Sequence, residues 1–121
     1  QALCSDIAED PDDAYDPTTG EGSWGVEMVC SSITSPGSTR DLSEQPHKHW
    51  AEGDFRGYLV LNVTPEKVQG DWFGFWDPGK FLYDRPDEIW LKGWVTQEGE
   101  NHLMESIAPA DPKVDAPMLA P

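Results

Sequence analysis

The sequence predicts a mostly β chain of antiparallel hairpins joined by long loops. Three observations predict it. The stretches 23–31, 57–76 and 88–107 alternate apolar, β-branched and aromatic residues with period two, Pro- and Gly-rich segments separate them, and no stretch repeats apolar residues at helical spacing. At 121 residues the chain holds one domain at most and buries about two-thirds of its unfolded surface. Its 23 acidic residues against 8 basic ones give a net charge of −15. That charge excludes nucleic acid and anionic membrane surfaces as partners and leaves cations and basic surfaces. The longest aliphatic run, Leu59-Val60-Leu61, falls far short of the roughly 20 apolar residues of a membrane helix.

Residues 1–22 hold Asp6, Glu9, Asp10, Asp12, Asp13, Asp16 and Glu21 with no basic residue, together with Pro11, Pro17, Gly20 and Gly22, and read as an acidic loop. From 23 to 31, Trp24, Val26, Met28 and Cys30 alternate with Gly25, Glu27 and Val29, which is a strand. Ser35-Pro36-Gly37-Ser38 ends it, and 39–54 is a polar connection carrying Pro46, His47, His49 and Trp50. The clearest unit is the hairpin 57–76, whose apolar runs flank Thr64-Pro65-Glu66-Lys67; Pro65 presets φ for a type I turn. Tyr58 to Val63 is apolar on both faces, as expected of an inner strand covered on both sides. Residues 77–87, with Pro78, Gly79 and Pro86, form a second connection. A second hairpin spans 88–107, turning at Gln97-Glu98-Gly99-Glu100-Asn101. From 108 to 121, Pro109, Pro112, Pro117 and Pro121 mark an extended tail. The chain starts at Gln1 with no basic-then-apolar leader, so it is expected to be processed, excised or one piece of something larger.

Candidate chemistry is sparse. Cys4 and Cys30 are too few for a zinc cage; they form either one disulfide in an oxidising compartment or two buried thiols. Asp6 to Asp16 offers hard oxygen ligands for calcium, without helix-loop-helix spacing, or is simply a solvated loop. His47 and His49 flank Lys48 in a loop near Arg40 and suit ligation or proton carriage, while His102 beside a turn is expected on the surface. Asn62-Val63-Thr64 is a glycosylation triplet or a plain strand end. The six tryptophans, at 24, 50, 72, 76, 90 and 94, form either an aromatic-ligand platform or packing against an adjoining layer.

Tyr15-Asp16-Pro17-Thr18-Thr19-Gly20-Glu21-Gly22-Ser23, running into Val26-Glu27-Met28-Val29-Cys30-Ser31-Ser32-Ile33-Thr34-Ser35-Pro36-Gly37, resembles the late part of PhoD-type alkaline phosphatases. Arg56 to Phe73, with its Val63-Thr64-Pro65-Glu66 turn, is similar to that family's C-terminal hairpin. Glu98-Gly99-Glu100-Asn101-His102-Leu103 is similar to its closing hairpin. These segments cover most of residues 1–107 in the family's order.

The resemblance implies the C-terminal part of an α/β metallophosphoesterase sandwich, two sheets flanked by helices and completed by another chain. It implies a secreted, periplasmic or extracellular enzyme that hydrolyses phosphate mono- and diesters with iron and calcium. Most metal ligands lie upstream in that family, and its final Gly-Asp-x-His signature would fall immediately before Gln1. Gln45-Pro46-His47 resembles the family's Asn-Pro-His segment near the active-site face, which makes His47 the one candidate active-site residue, although Gln45 replaces the usual Asn and Asn62 stands where Asp is common. The expected partner is the N-terminal catalytic chain of the same precursor, or homologous copies, and this chain alone is expected to hydrolyse nothing. A non-catalytic assembly subunit derived from such a phosphatase is the alternative, and an acidic calcium-binding module a third.

Overall fold

A computed structural model describes residues 1–10, 14–33, 44–76 and 88–111. These form seven strands and, among the described residues, no helix: β1 (Ala2–Ala8), β2 (Ser23–Val29), β3 (Lys48–Glu52), β4 (Phe55–Val63), β5 (Lys67–Trp76), β6 (Ile89–Gln97) and β7 (Met104–Ser106). The strands make two antiparallel sheets, one three-stranded in the order β2-β1-β3 and one four-stranded in the order β4-β5-β6-β7. The mostly β expectation is met.

The four-stranded sheet follows from local signals. Val63 pairs with Val68 across the turn, where Thr64 N donates to Lys67 O at 2.9 Å and Lys67 N donates to Thr64 Oγ1 at 3.2 Å. Period-two alternation then sends Trp72 into the interior and Asp71 to the opposite face. β6 pairs with β5 with a register shift at Trp72/Phe73, and β7 adds three residues beyond it. The connection 77–87, the turn expected at 35–38 and the tail beyond 111 lie outside the described residues.

The three-stranded sheet overturns part of the sequence reading. Ala2–Ala8, expected inside the acidic loop, is the central strand, with Ala2, Cys4, Ser5 and Asp6 buried. Lys48–Glu52, expected in a polar connection, is an edge strand. Neither segment alternates cleanly, because a buried Asp and charged strand ends break the pattern that period-two reading depends on. Among the described residues β4, expected to be an inner strand, ends its sheet, with Val60, Leu61 and Val63 36%, 54% and 68% exposed.

The sheets pack through one core of Ala2, Cys4, Trp72, Trp94 and Leu103, against which Val26, Met28, Trp50, Leu59 and Leu91 lie partly buried. Each large side chain so buried contributes about 2 kcal/mol from apolar transfer alone. Trp72 is the keystone: its ring meets Trp50 edge-on at 5.3 Å, and its indole N–H crosses between sheets to Val29 O at 2.9 Å. Gly70 permits the close approach, since a Cβ there would stand 2.5 Å from the Met28 sulfur. Trp90 is buried too, so packing accounts for these tryptophans; Trp24 alone among the described rings is broadly exposed, at 66%.

On the far face of the four-stranded sheet, the buried Asp71 accepts from Trp90 Nε1 at 3.0 Å and from Ala110 N at 3.0 Å. Gln69 Nε2 donates to Ala108 O at 2.9 Å. Residues 108–110 are thereby held against the sheet, so the start of the expected extended tail is anchored.

The two cysteines are free thiols, Cys4 buried and Cys30 exposed. The disulfide is not formed, and neither is the pair of buried thiols. Cys4 stands opposite Met28, which leaves Cys30 on a diagonal. Diagonal Cβ atoms lie about 7 Å apart, beyond the roughly 4 Å a disulfide spans.

Candidate functional site

Asp6 gathers the elements around it. Its side chain is sealed from solvent, yet one carboxylate oxygen accepts from the Tyr15 hydroxyl at 2.6 Å and lies 2.8 Å from His49 Nε2, while the other accepts from Leu103 N at 2.8 Å. Tyr15 OH and His49 Nε2 are themselves 3.5 Å apart. The carboxylate joins β1, the 14–22 turn, β3 and the loop before β7. Three donors on one carboxylate offset the cost of burying it. The His49 ring also packs on Trp94 at 5.0 Å, tilted by 38°.

The turn carrying Tyr15 is built by its own polar residues. Asp16 N donates to Glu21 O at 2.9 Å, Gly20 N to Asp16 O at 2.8 Å, and Asp16 Oδ1 accepts from Thr18 N at 2.8 Å. The Thr18 amide holds the Asp16 carboxyl below its ordinary pKa. Gly20, at φ +73°, lets the turn touch His102, because a Cβ there would lie 2.4 Å from the imidazole. His102, expected on the surface, is buried, with Nδ1 3.3 Å from the Glu100 carboxylate. Desolvation, and secondarily the hydrogen bond to Asp6, push the Tyr15 phenol up. Burial, and secondarily the Asp6 charge, push the Cys4 thiol up.

His47 lies elsewhere. Alternation sends Cys4 and Met28 into the core and their neighbours Ser5 and Glu27, paired in register, to the outer face. There Ser5, Asp6, Ile7, Ala8, Glu27 and His47 line an open cleft of about 170 Å³. Ser5 Oγ donates to Glu27 Oε2 at 3.3 Å, and His47 O accepts from Asp6 N at 2.8 Å. The His47 Nδ1 atom is buried with no hydrogen-bond partner.

Proximity thus separates the two histidines that the sequence placed together: His49 braces the interior and His47 borders the cleft. The sequence reading missed Asp6 as a hub and missed Ser5 and Glu27 as cleft residues, although Glu27 sits inside the Val26-Glu27-Met28 segment that carries the resemblance. Among the described residues no three His, Cys, Asp or Glu side chains converge. Asp6 and Asp16 are engaged by hydrogen bonds, and Asp12 and Asp13 lie outside the described residues. The described residues therefore do not by themselves fit an iron or calcium ion.

No protein-family model, curated protein or solved structure matches this chain.

Proposed function

We propose that this chain is the C-terminal sheet segment of a PhoD-like phosphatase, an α/β metallophosphoesterase sandwich completed by an upstream catalytic polypeptide. That polypeptide holds the iron and calcium ions, whose Lewis acidity and bound water supply the hydrolytic chemistry on phosphate esters. This chain supplies strands and, through His47, one wall near the active-site face. The assembled enzyme is secreted, periplasmic or extracellular.

The uncovered edge of the four-stranded sheet supports this reading. β4 ends the sheet among the described residues, and Val60, Leu61 and Val63 face solvent on both of its sides. A nine-residue edge strand with no bulge in its pairing to β5, and with Arg56 near its start as its one charged residue, invites a neighbouring strand. A larger enzyme covers such an edge, and a free-standing acidic domain has no use for it.

Extending the reading frame upstream of Gln1 and co-expressing that polypeptide with this chain tests the proposal. With iron and calcium, the pair turns over a phosphodiester and this chain alone does not. Leu61→Lys on the edge weakens co-purification while leaving this chain folded. Turnover by this chain alone, or an upstream frame without the Gly-Asp-x-His signature, overturns the reading.

A further inference from the structure

We propose that Gln69, Asp71 and Ser106 form a slot on the far face of the four-stranded sheet that reads the backbone of an extended, proline-containing segment. Residues 108–110 of this chain fill it, and a segment of the same chemistry on another polypeptide enters by displacing them. The inference goes beyond the phosphatase reading, because the slot and its present occupant both belong to this chain.

The slot binds main chain. Ala108 O accepts from Gln69 Nε2 at 2.9 Å and from Ser106 Oγ at 2.7 Å, and Ala110 N donates to Asp71 Oδ2 at 3.0 Å. One carbonyl and one N–H are thus read on either side of Pro109, which has no N–H to satisfy and presets the φ of an extended polyproline backbone. The readers are buried and braced. Gln69 and Asp71 are 3% and 2% exposed, Gln69 Nε2 lies 3.1 Å from Asp71 Oδ1, and that oxygen also accepts from Trp90 Nε1 at 3.0 Å. Gly93 keeps the slot clear, since a Cβ there would stand 2.7 Å from Asp71 Oδ1. Recognition of a preformed proline-rich backbone by side chains of a sheet is a recurring way to capture peptides.

The present occupant is exchangeable on chemical grounds. β7 ends at Ser106, and among the described residues no backbone-to-backbone hydrogen bond holds 107–111. Ile107 and Ala108 are exposed, so the slot specifies a proline-bearing backbone and not a side-chain sequence. Any segment with a carbonyl before proline and an N–H after it presents the same groups. Tethering gives the resident segment an effective concentration on the order of millimolar, so a free segment competes well only where the tethered one is weakened.

The probe is the peptide acetyl-Ile-Ala-Pro-Ala-Asp-amide, which copies 107–111, titrated into the isotope-labelled full chain and followed by the Gln69 side-chain amide and Trp90 indole resonances. Ala110→Pro removes the N–H that Asp71 holds and still suits an extended backbone. Saturation of Ala110→Pro is expected at peptide concentrations about tenfold below those that wild type requires, the worth of one hydrogen bond to a charged acceptor. A peptide N-methylated at the alanine after proline should bind about tenfold more weakly than its parent. Shifts that fail to saturate in Ala110→Pro, or that ignore the N-methyl group, overturn the inference. Wild type alone gives a second test by hydrogen exchange. The Ala110 amide should exchange more slowly than in the free peptide yet faster than the backbone amides shared by β5 and β6, because the segment opens without the sheet. Exchange at the free-peptide rate would mean that the slot holds nothing, and exchange only with global unfolding that it never empties; either result overturns the inference and leaves the phosphatase reading untouched.

Discussion

The Asp6 carboxylate and the His49 imidazole meet at 2.8 Å although they lie 43 positions apart in the chain, tying the central strand of one sheet to its neighbour beneath Trp94 of the other. Tyr15 and Leu103, 9 and 97 positions away from Asp6, complete the cluster. A single short acidic side chain therefore fixes the register of β1 and β3 and the seat of two turns. Its removal is the sharpest test of what holds the sheets together.

Asp6→Ala leaves a phenol, an imidazole and a backbone N–H buried without their acceptor. Breaking a buried charged cluster in this way costs about 3 kcal/mol. Asp6→Asn keeps an oxygen for Leu103 N and should lose roughly half as much. Urea unfolding of the two variants should order them wild type, Asn, Ala. An Ala variant as stable as wild type would show that the cluster contributes nothing to the fold.

Tyr15 gives the same cluster a pH signature. Its phenol is raised above the ordinary value of 10.0 by burial and by the Asp6 hydrogen bond. A group whose folded pKa is raised contributes stability that is fully present below the unfolded value and is lost as pH climbs past it toward the folded one. Wild type should therefore lose stability relative to Tyr15→Phe as pH rises from about 9 to about 12, and tyrosinate absorbance should show one residue titrating only at the alkaline end. At neutral pH Tyr15→Phe costs about 1 kcal/mol for its lost hydrogen bond. A constant gap between the two proteins across that range would refute the shift.

Local patterns made β2, β4, β5 and β6 legible, because Val, Trp, Leu and Ile alternate there and turns such as Thr64–Lys67 close within a few residues. β1 was not legible. Its sequence places Asp6 where alternation demands an apolar residue, and only partners distant in the chain make that burial affordable. β3 was hidden by Lys48, His49 and Glu52 for the same reason. The position of β4 at the sheet edge was not legible either, since its composition is that of a covered strand and the cover is not found among the described residues. His47 is offered with His49 by its imidazole and set apart from it by resemblance; its unpartnered buried Nδ1 and its place with Glu27 along one cleft are spatial facts with no trace in spacing.

Gly20 offers a test of the turn that presents Tyr15. Its φ of +73° is a left-handed conformation, and an added methyl would stand 2.4 Å from the buried His102 ring. Gly20→Ala combines backbone strain with that collision and should cost about 2 kcal/mol. Gly99, at φ +79° with open space around it, carries strain without collision and serves as the control. Gly99→Ala should cost about 1 kcal/mol, so thermal unfolding must separate the two variants in that order.

The cysteines separate reactivity from packing. Cys4 is wholly buried in the sheet interface, and its desolvation, reinforced by the nearby Asp6 charge, raises the thiol and keeps it protonated. The thiolate is the reactive species, so Cys4 should resist alkylation in the native protein while the exposed Cys30 reacts. Native protein should then consume one equivalent of a thiol reagent and denatured protein two, with Cys30→Ser abolishing the native reaction at a stability change within about 0.5 kcal/mol. Cys4→Ala should cost about 1–2 kcal/mol by leaving a small void beside Trp72. Native protein that consumes no reagent, yet consumes two equivalents once reduced and denatured, would mean that the strands slip in register until Cys30 stands opposite Cys4. That is a two-residue slip of β2 along β1, which keeps every side chain on its own face, so the labelling count reports a change of register that burial alone would not reveal.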